Sequence, residues 1–245
     1  MTKSIKTPLP THHFYHELMN ALLARLDYIR INPVHILNFG VHTEHSCHQL
    51  QQRYPNAKIT AIRDIQALKK ISDESIDFVF GHFPLFINDP AIILREFSRI
   101  LREEGLLLFT SLGPDTLCEL RQCFAKIDTF SHMQDFVDMH HVGDWLKALE
   151  FDDPVIDRQT MTLAYDDLTL FFQDLKQLRI SKPSINHFPG LYTKKRWKKM
   201  LTQYQTYKTG DEYSATIELI FAHAWKVTKN RMDEFVIPID QIQKR

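Results

Sequence analysis

The chain has 245 residues, 44% hydrophobic and 11% aromatic, enough for a sizeable buried core. Lys+Arg and Asp+Glu balance at 30 each, so no global charge draws it to nucleic acid or an anionic membrane, and an electrostatic partner must be met by a local patch. No apolar run reaches the roughly 20 residues of a membrane span, the opening MTKSIKTPLP lacks a signal-peptide core, and three scattered cysteines build no disulfide framework, which together point to a cytoplasmic protein.

Phe14, Leu18, Ala21, Leu22, Leu26 and Ile29 recur at three- and four-residue spacing and predict an amphipathic helix over 13–29. After Pro33, residues 34–39 read as a short apolar strand ending at Gly40, followed by a helix over 46–53 and a Tyr54-Pro55-Asn56 stop. KITAI (58–62) and IDFVF (76–80) read as further strands. An Asp89-Pro90 start opens a helix over 89–101, and Gly105 leads into a strand over 106–110. This alternation predicts a Rossmann-like α/β sheet with its ligand crevice at the carboxyl ends of the strands. Beyond residue 112 the pattern predicts helices over 114–124, 142–150, 168–178 and 193–207, with strands over 154–165 and 215–227. One domain over 1–245, with a helical insertion before its last strand, is the simplest organisation.

Several segments carry a resemblance. LREFSRILREEGLLLFTSLGPDTLCELR (94–121), DFVDMHHVGDWLKALEFDDPVID (135–157), MTLAYDDLTLFFQDLKQLR (161–179) and ELIFAHAWK (218–226) resemble the malonyl-acyl-carrier-protein O-methyltransferases of biotin synthesis. The resemblance implies a class I S-adenosylmethionine (SAM) methyltransferase sheet, with residues 166–210 as a helical cover over the substrate. It implies SAM as cofactor and methylation of a malonyl thioester's free carboxylate as activity, a transfer that chiefly requires alignment of methyl group and carboxylate.

ILNFGVHTE (36–44) aligns with the glycine-rich strand and loop that meets the cofactor in this family. The resemblance makes Asn38, Gly40, Thr43 and Arg63 the cofactor-binding positions. Only Gly40 keeps a glycine; His42 and Glu44 fill the two other glycine places, where absence of Cβ lets the backbone lie against a ligand. Asn38 stands for an acidic residue, and Arg63 replaces the acid that holds the ribose hydroxyls, with Asp64 one step late and on the opposite strand face. About 13 residues separate Ile62 from Ile76, too few for the family's strand-helix-strand passage, so one edge strand is expected to be missing. The segment that folds over the cofactor would lie upstream of His13 and has little room. These departures describe a family member that does not bind SAM and acts by binding an acyl carrier protein, an acyl thioester or a partner enzyme. The alternative is an active SAM-dependent enzyme with a rearranged loop.

His42, Glu44, His45, Cys47 and His48 are metal-ligand types, but no second cluster lies elsewhere in the chain, so no metal is expected. Cys47 lacks an oriented base nearby in sequence. Lys194, Lys195 and Arg196, with Trp197, Lys198, Lys199 and the upstream Lys176, Arg179 and Lys182, form a basic run suited to an acidic carrier protein or to solvent. Tyr165 either lines the substrate cavity or ends its strand. Arg121 either pairs with a substrate carboxylate or forms a surface salt bridge. Asp115 reads as a helix cap, and His140 and His141 as packing residues. KITAI, left at the sheet edge, offers a surface for a homodimer.

Overall fold

The computed structural model describes residues 3–6, 11–40, 43–87, 89–177 and 193–228. In chain order its elements are β1 (Lys3–Lys6), α1 (Thr11–Arg25), β2 (His35–Gly40), α2 (Thr43–Arg53), β3 (Lys58–Ile62), α3 (Ile65–Leu68), β4 (Ile76–His82), α4 (Pro84–Ile87), α5 (Pro90–Ile100), β5 (Leu101–Leu112), α6 (Cys118–Ala125), α7 (Met139–Ala148), β6 (Phe151–Tyr165), α8 (Leu168–Gln177), α9 (Lys194–Tyr204), β7 (Lys208–Thr209) and β8 (Glu212–Lys226). The hydrogen-bonded strand order is β1-β6-β8-β5-β4-β2-β3, with β7 paired to β8 beside this path. Among the described residues no helix is long and apolar enough to cross a membrane.

The chain divides into two compact units, one of Met1–Ile29, Thr110–Met139 and Asp157–Phe221, the other of Arg30–Phe109, His140–Ile156 and Ala222–Arg245. The second unit carries the alternating strands and helices. Here β2 lies between β3 and β4, parallel to both, with Ile36 opposite Ile59 and Phe78. Its residues after His35 are all buried, as expected of a strand covered on both faces. Asp77 pins its start by accepting from the N–H groups of Val34 and His35 at 2.9 and 2.7 Å. In α5, Ile93, Leu94, Phe97 and Ile100 supply the buried stripe, and the Asp89 carboxylate accepts from the Ala91 and Ile92 N–H groups at 2.9 and 3.3 Å. Phe97 meets Phe39 edge to face, 5.3 Å between ring centres.

The expected loss of an edge strand is found. Residues 63–75 hold only α3 and turns, and β3 ends the strand order. Arg99 closes this short passage: its guanidinium donates to the Leu68 and Ile71 carbonyls at 3.3 and 2.8 Å and to Asp73 and Glu96.

In the first unit β1 runs parallel to β6, Lys3 opposite Met161, a strand that the polar opening of the chain did not suggest. The helix expected over 114–124 begins only at Cys118, because residues 113–116 are drawn onto β8. The Glu218 carboxylate accepts from the Asp115 N–H at 2.8 Å, and the Glu218 carbonyl accepts from the Gly113 N–H at 2.9 Å and the Thr116 hydroxyl at 3.1 Å. Leu117, with φ +56°, follows this turn. The Glu119 carboxylate receives the Thr216 N–H and hydroxyl. Tyr204, fully buried on α9, packs on Phe171 and donates to the Ser214 carbonyl at 2.9 Å.

Candidate functional site

The residues at the carboxyl ends of β2 and β4 form a polar knot. Asn38 is fully buried and donates through Nδ2 to Ser46 Oγ at 2.8 Å and Cys47 Sγ at 3.1 Å. Its Oδ1 faces His82 Nε2 at 3.1 Å, and the same nitrogen lies 3.2 Å from Ser46 Oγ. An amide oxygen only accepts, so Nε2 carries the imidazole proton. His82 is itself fully buried and meets Phe80 edge to face at 4.8 Å. Reading the sequence passed over His82, since a histidine closing an apolar strand carries no signal until the fold brings it to Asn38.

Gly40 has φ +125°, and a Cβ there would stand 2.4 Å from the His82 carbonyl oxygen. Backbone packing between β2 and β4 therefore explains the one surviving glycine of the loop. His42 lies outside the described residues; Thr43 opens α2, and its side chain is likewise not described. Glu44, in the first turn of α2, exposes 94% of its side chain and faces Arg63 Nη2 at 3.8 Å. Asp64 caps α3, its Oδ1 accepting from the Ala67 N–H at 2.9 Å.

These residues do not fit the adenosyl cofactor. A carboxylate can accept both O–H groups of a ribose diol, whereas Arg63 presents donors only and can accept neither. The acidic neighbour Asp64 is committed to its helix, and Glu44 adds an exposed carboxylate at a position where the resemblance expects glycine. Among the described residues no three His, Cys, Asp or Glu gather to hold a metal ion.

The first unit holds the substrate-side residues. Tyr165 ends β6, buried, and donates to Asp174 Oδ2 at 3.1 Å; burial first, then the Asp174 charge, holds its phenol far above the usual tyrosine range. On α9, Thr193 caps the helix by accepting from the Arg196 N–H at 3.3 Å. Lys194, Lys195, Lys198 and Lys199 are exposed beside Trp197, whose ring packs tilted against Phe172, 4.7 Å between ring centres. Arg196 departs from that surface, its Nη1 3.7 Å from Asp128. Lys176 ends α8 exposed, whereas Arg179 and Lys182 lie outside the described residues.

Asp115 contributes its backbone rather than a side-chain cap. His140 and His141 are exposed, with His141 6.1 Å from the Trp145 ring. Among the described residues Arg121 forms no salt bridge; its guanidinium lies 5.0 Å from the Phe136 ring centre, and burial lowers its pKa against the opposing pull of Asp135, Cys118 and Asp115.

A methyltransferase-domain family model matches residues 39–109. Malonyl-acyl-carrier-protein O-methyltransferase 1 of Coxiella burnetii is 34% identical over 93% of this chain and 88% of that protein. The malonyl-acyl-carrier-protein O-methyltransferase of Gallionella capsiferriformans is 32% identical over 86% of this chain and 83% of that one. A solved structure assigned to the methyltransferases, from Bacillus halodurans C-125, superposes with a TM-score of 0.54 at 12% identity, covering 86% of this chain and 99% of that one, a likeness of fold.

Proposed function

Because the chain belongs to the malonyl-acyl-carrier-protein O-methyltransferase family and has its class I fold, we propose that it works on the family's acyl side as a binding protein, without SAM. The observation that carries this reading is the Glu44–Arg63 ion pair: both members stand at cofactor positions, both with chemistry opposed to the cofactor's. The Asn38–Ser46–His82 knot adds to it by occupying three buried polar side chains with one another at this end of the sheet.

The ligand is an acyl carrier protein or its acyl thioester, the acidic carrier being steered by the lysines of α9. Of the cover expected over 166–210, α8 and α9 are described and residues 178–192 lie outside the described residues; Tyr165 ends β6 just before α8. A partner methyltransferase is the other candidate for this surface. Charge attraction through exposed lysines raises the encounter rate and weakens with salt. The edge strand β3, with its outer backbone groups unpaired by the order of the sheet, is the place for self-association, which sedimentation at rising concentration tests.

Titration with SAM and S-adenosylhomocysteine tests the cofactor part, and association with an acidic acyl carrier protein tests the rest. The reading predicts no SAM binding and salt-sensitive carrier binding. Stoichiometric SAM binding with methyl transfer to a malonyl thioester would establish the active-enzyme alternative.

A further inference from the structure

We propose that the cavity beside α6 is an oxyanion site, in which the Arg121 guanidinium receives a carboxylate or phosphate group. The cavity has a volume of about 360 Å³, and its lining includes Arg121, Phe124, Asp128, Phe130, His132 and Met133. Arg121 lines this cavity, and its Nε and Nη2 are buried with no hydrogen-bond partner. A guanidinium stays charged and presents a fixed fork of donors, so burying it against an aromatic ring with its fork open is unfavourable unless an acceptor arrives.

The acid on the cavity wall, Asp128, is hydrogen-bonded through Oδ1, and among the described residues its Oδ2 meets only the charge of Arg196. Asp128 Oδ1 accepts from the Phe130 N–H at 3.1 Å and pairs with His132 Nε2 at 2.7 Å, while Oδ2 faces Arg196 at 3.7 Å. Asp115 and Asp135 act on Arg121 through their field, without a close ion pair among the described residues. The His132 ring stacks on Phe124 at 4.1 Å, and with Phe130 and Met133 these side chains make an apolar wall. An open fork beside an apolar wall suits a small organic anion: bidentate pairing for the charged head, dispersion contacts for the carbon attached to it. The volume is within the ordinary range for small-molecule pockets.

This inference stands apart from the cofactor reading, since a chain that binds SAM and one that does not would both keep the site. The test is calorimetric titration and thermal shift of the full chain with sodium malonate and, separately, inorganic phosphate, in wild type, Arg121→Met and Arg121→Lys. At least one anion is expected to bind wild type and raise its melting temperature; malonate binding alone identifies a carboxylate source, phosphate binding alone a phosphate source. Loss of the fork is expected to weaken binding by at least about tenfold in Arg121→Met, with Arg121→Lys between. Without ligand, Arg121→Met is expected to melt no lower than wild type, because it removes a half-buried charge with two unpaired donors. If Arg121→Met fails to fold, the loss of binding in folded Arg121→Lys carries the test. The proposal is overturned if neither anion binds wild type at tens of millimolar, or if the folded variants bind as tightly as wild type.

Discussion

Arg63 Nη2 lies 3.8 Å from Glu44 Oε1, joining the loop after β3 to the first turn of α2. On the proposed reading, the pair inverts the charges expected at two cofactor positions. Both side chains are largely exposed, so the contact does little for stability, and replacing either one should leave the melting temperature within error of wild type. What the pair changes is the site's chemistry.

The buried knot differs. Asn38→Ala removes the donor to Ser46 and the acceptor for His82, leaving fully buried polar groups short of partners. The expected loss is about 1–3 kcal/mol, seen as a lower urea midpoint at unchanged m-value. An unchanged midpoint would mean that the knot does not stabilise the fold.

Arg99 ties the short passage between β3 and β4 to α5. Arg99→Met should cost roughly 1–3 kcal/mol in urea unfolding, chiefly through the Leu68 and Ile71 carbonyls and Glu96, since Asp73 is mostly exposed and contributes little. Hydrogen exchange should then rise first in residues 63–75.

His35 makes stability depend on pH. Burial first, then Lys58, lowers its pKa below 6.5, while Ser75 and Asp77 oppose that shift. The folded state therefore binds the proton less readily than the unfolded chain. Its contribution is complete above the unfolded pKa and declines as pH falls below about 6.5. His35→Gln should flatten the stability curve in that window; equal slopes for variant and wild type would remove His35 as the cause.

Charge reversal at Lys194, Lys195, Lys198 and Lys199 should slow association with an acidic acyl carrier protein by about tenfold at low salt, with wild type and variant converging as salt rises. Equal rates at low salt would place the docking surface elsewhere.

Much of this was legible in the sequence. KITAI is β3 to the residue, and Asp89-Pro90 opens α5 as its chemistry requires, because both signals are local. The missing edge strand followed from chain length alone. The start of α6 was misplaced because its turn is held by Glu218, about a hundred residues away, and no local pattern shows such a bond. Arg196 looked like part of the basic surface until the fold turned it toward Asp128. In the candidate cofactor site, the substitutions at Glu44 and Arg63 were visible one by one, whereas their pairing and the place of His82 needed the fold.

The most direct test of the account is calorimetric titration with SAM of wild type and of the Glu44→Gly/Arg63→Glu double variant, at protein concentrations that detect a millimolar dissociation constant. The account predicts no heat from wild type and measurable, weak binding by the double variant, which recovers a glycine and an acid at the two inverted positions. Stoichiometric micromolar binding by wild type would contradict it and place the chain among the active methyltransferases.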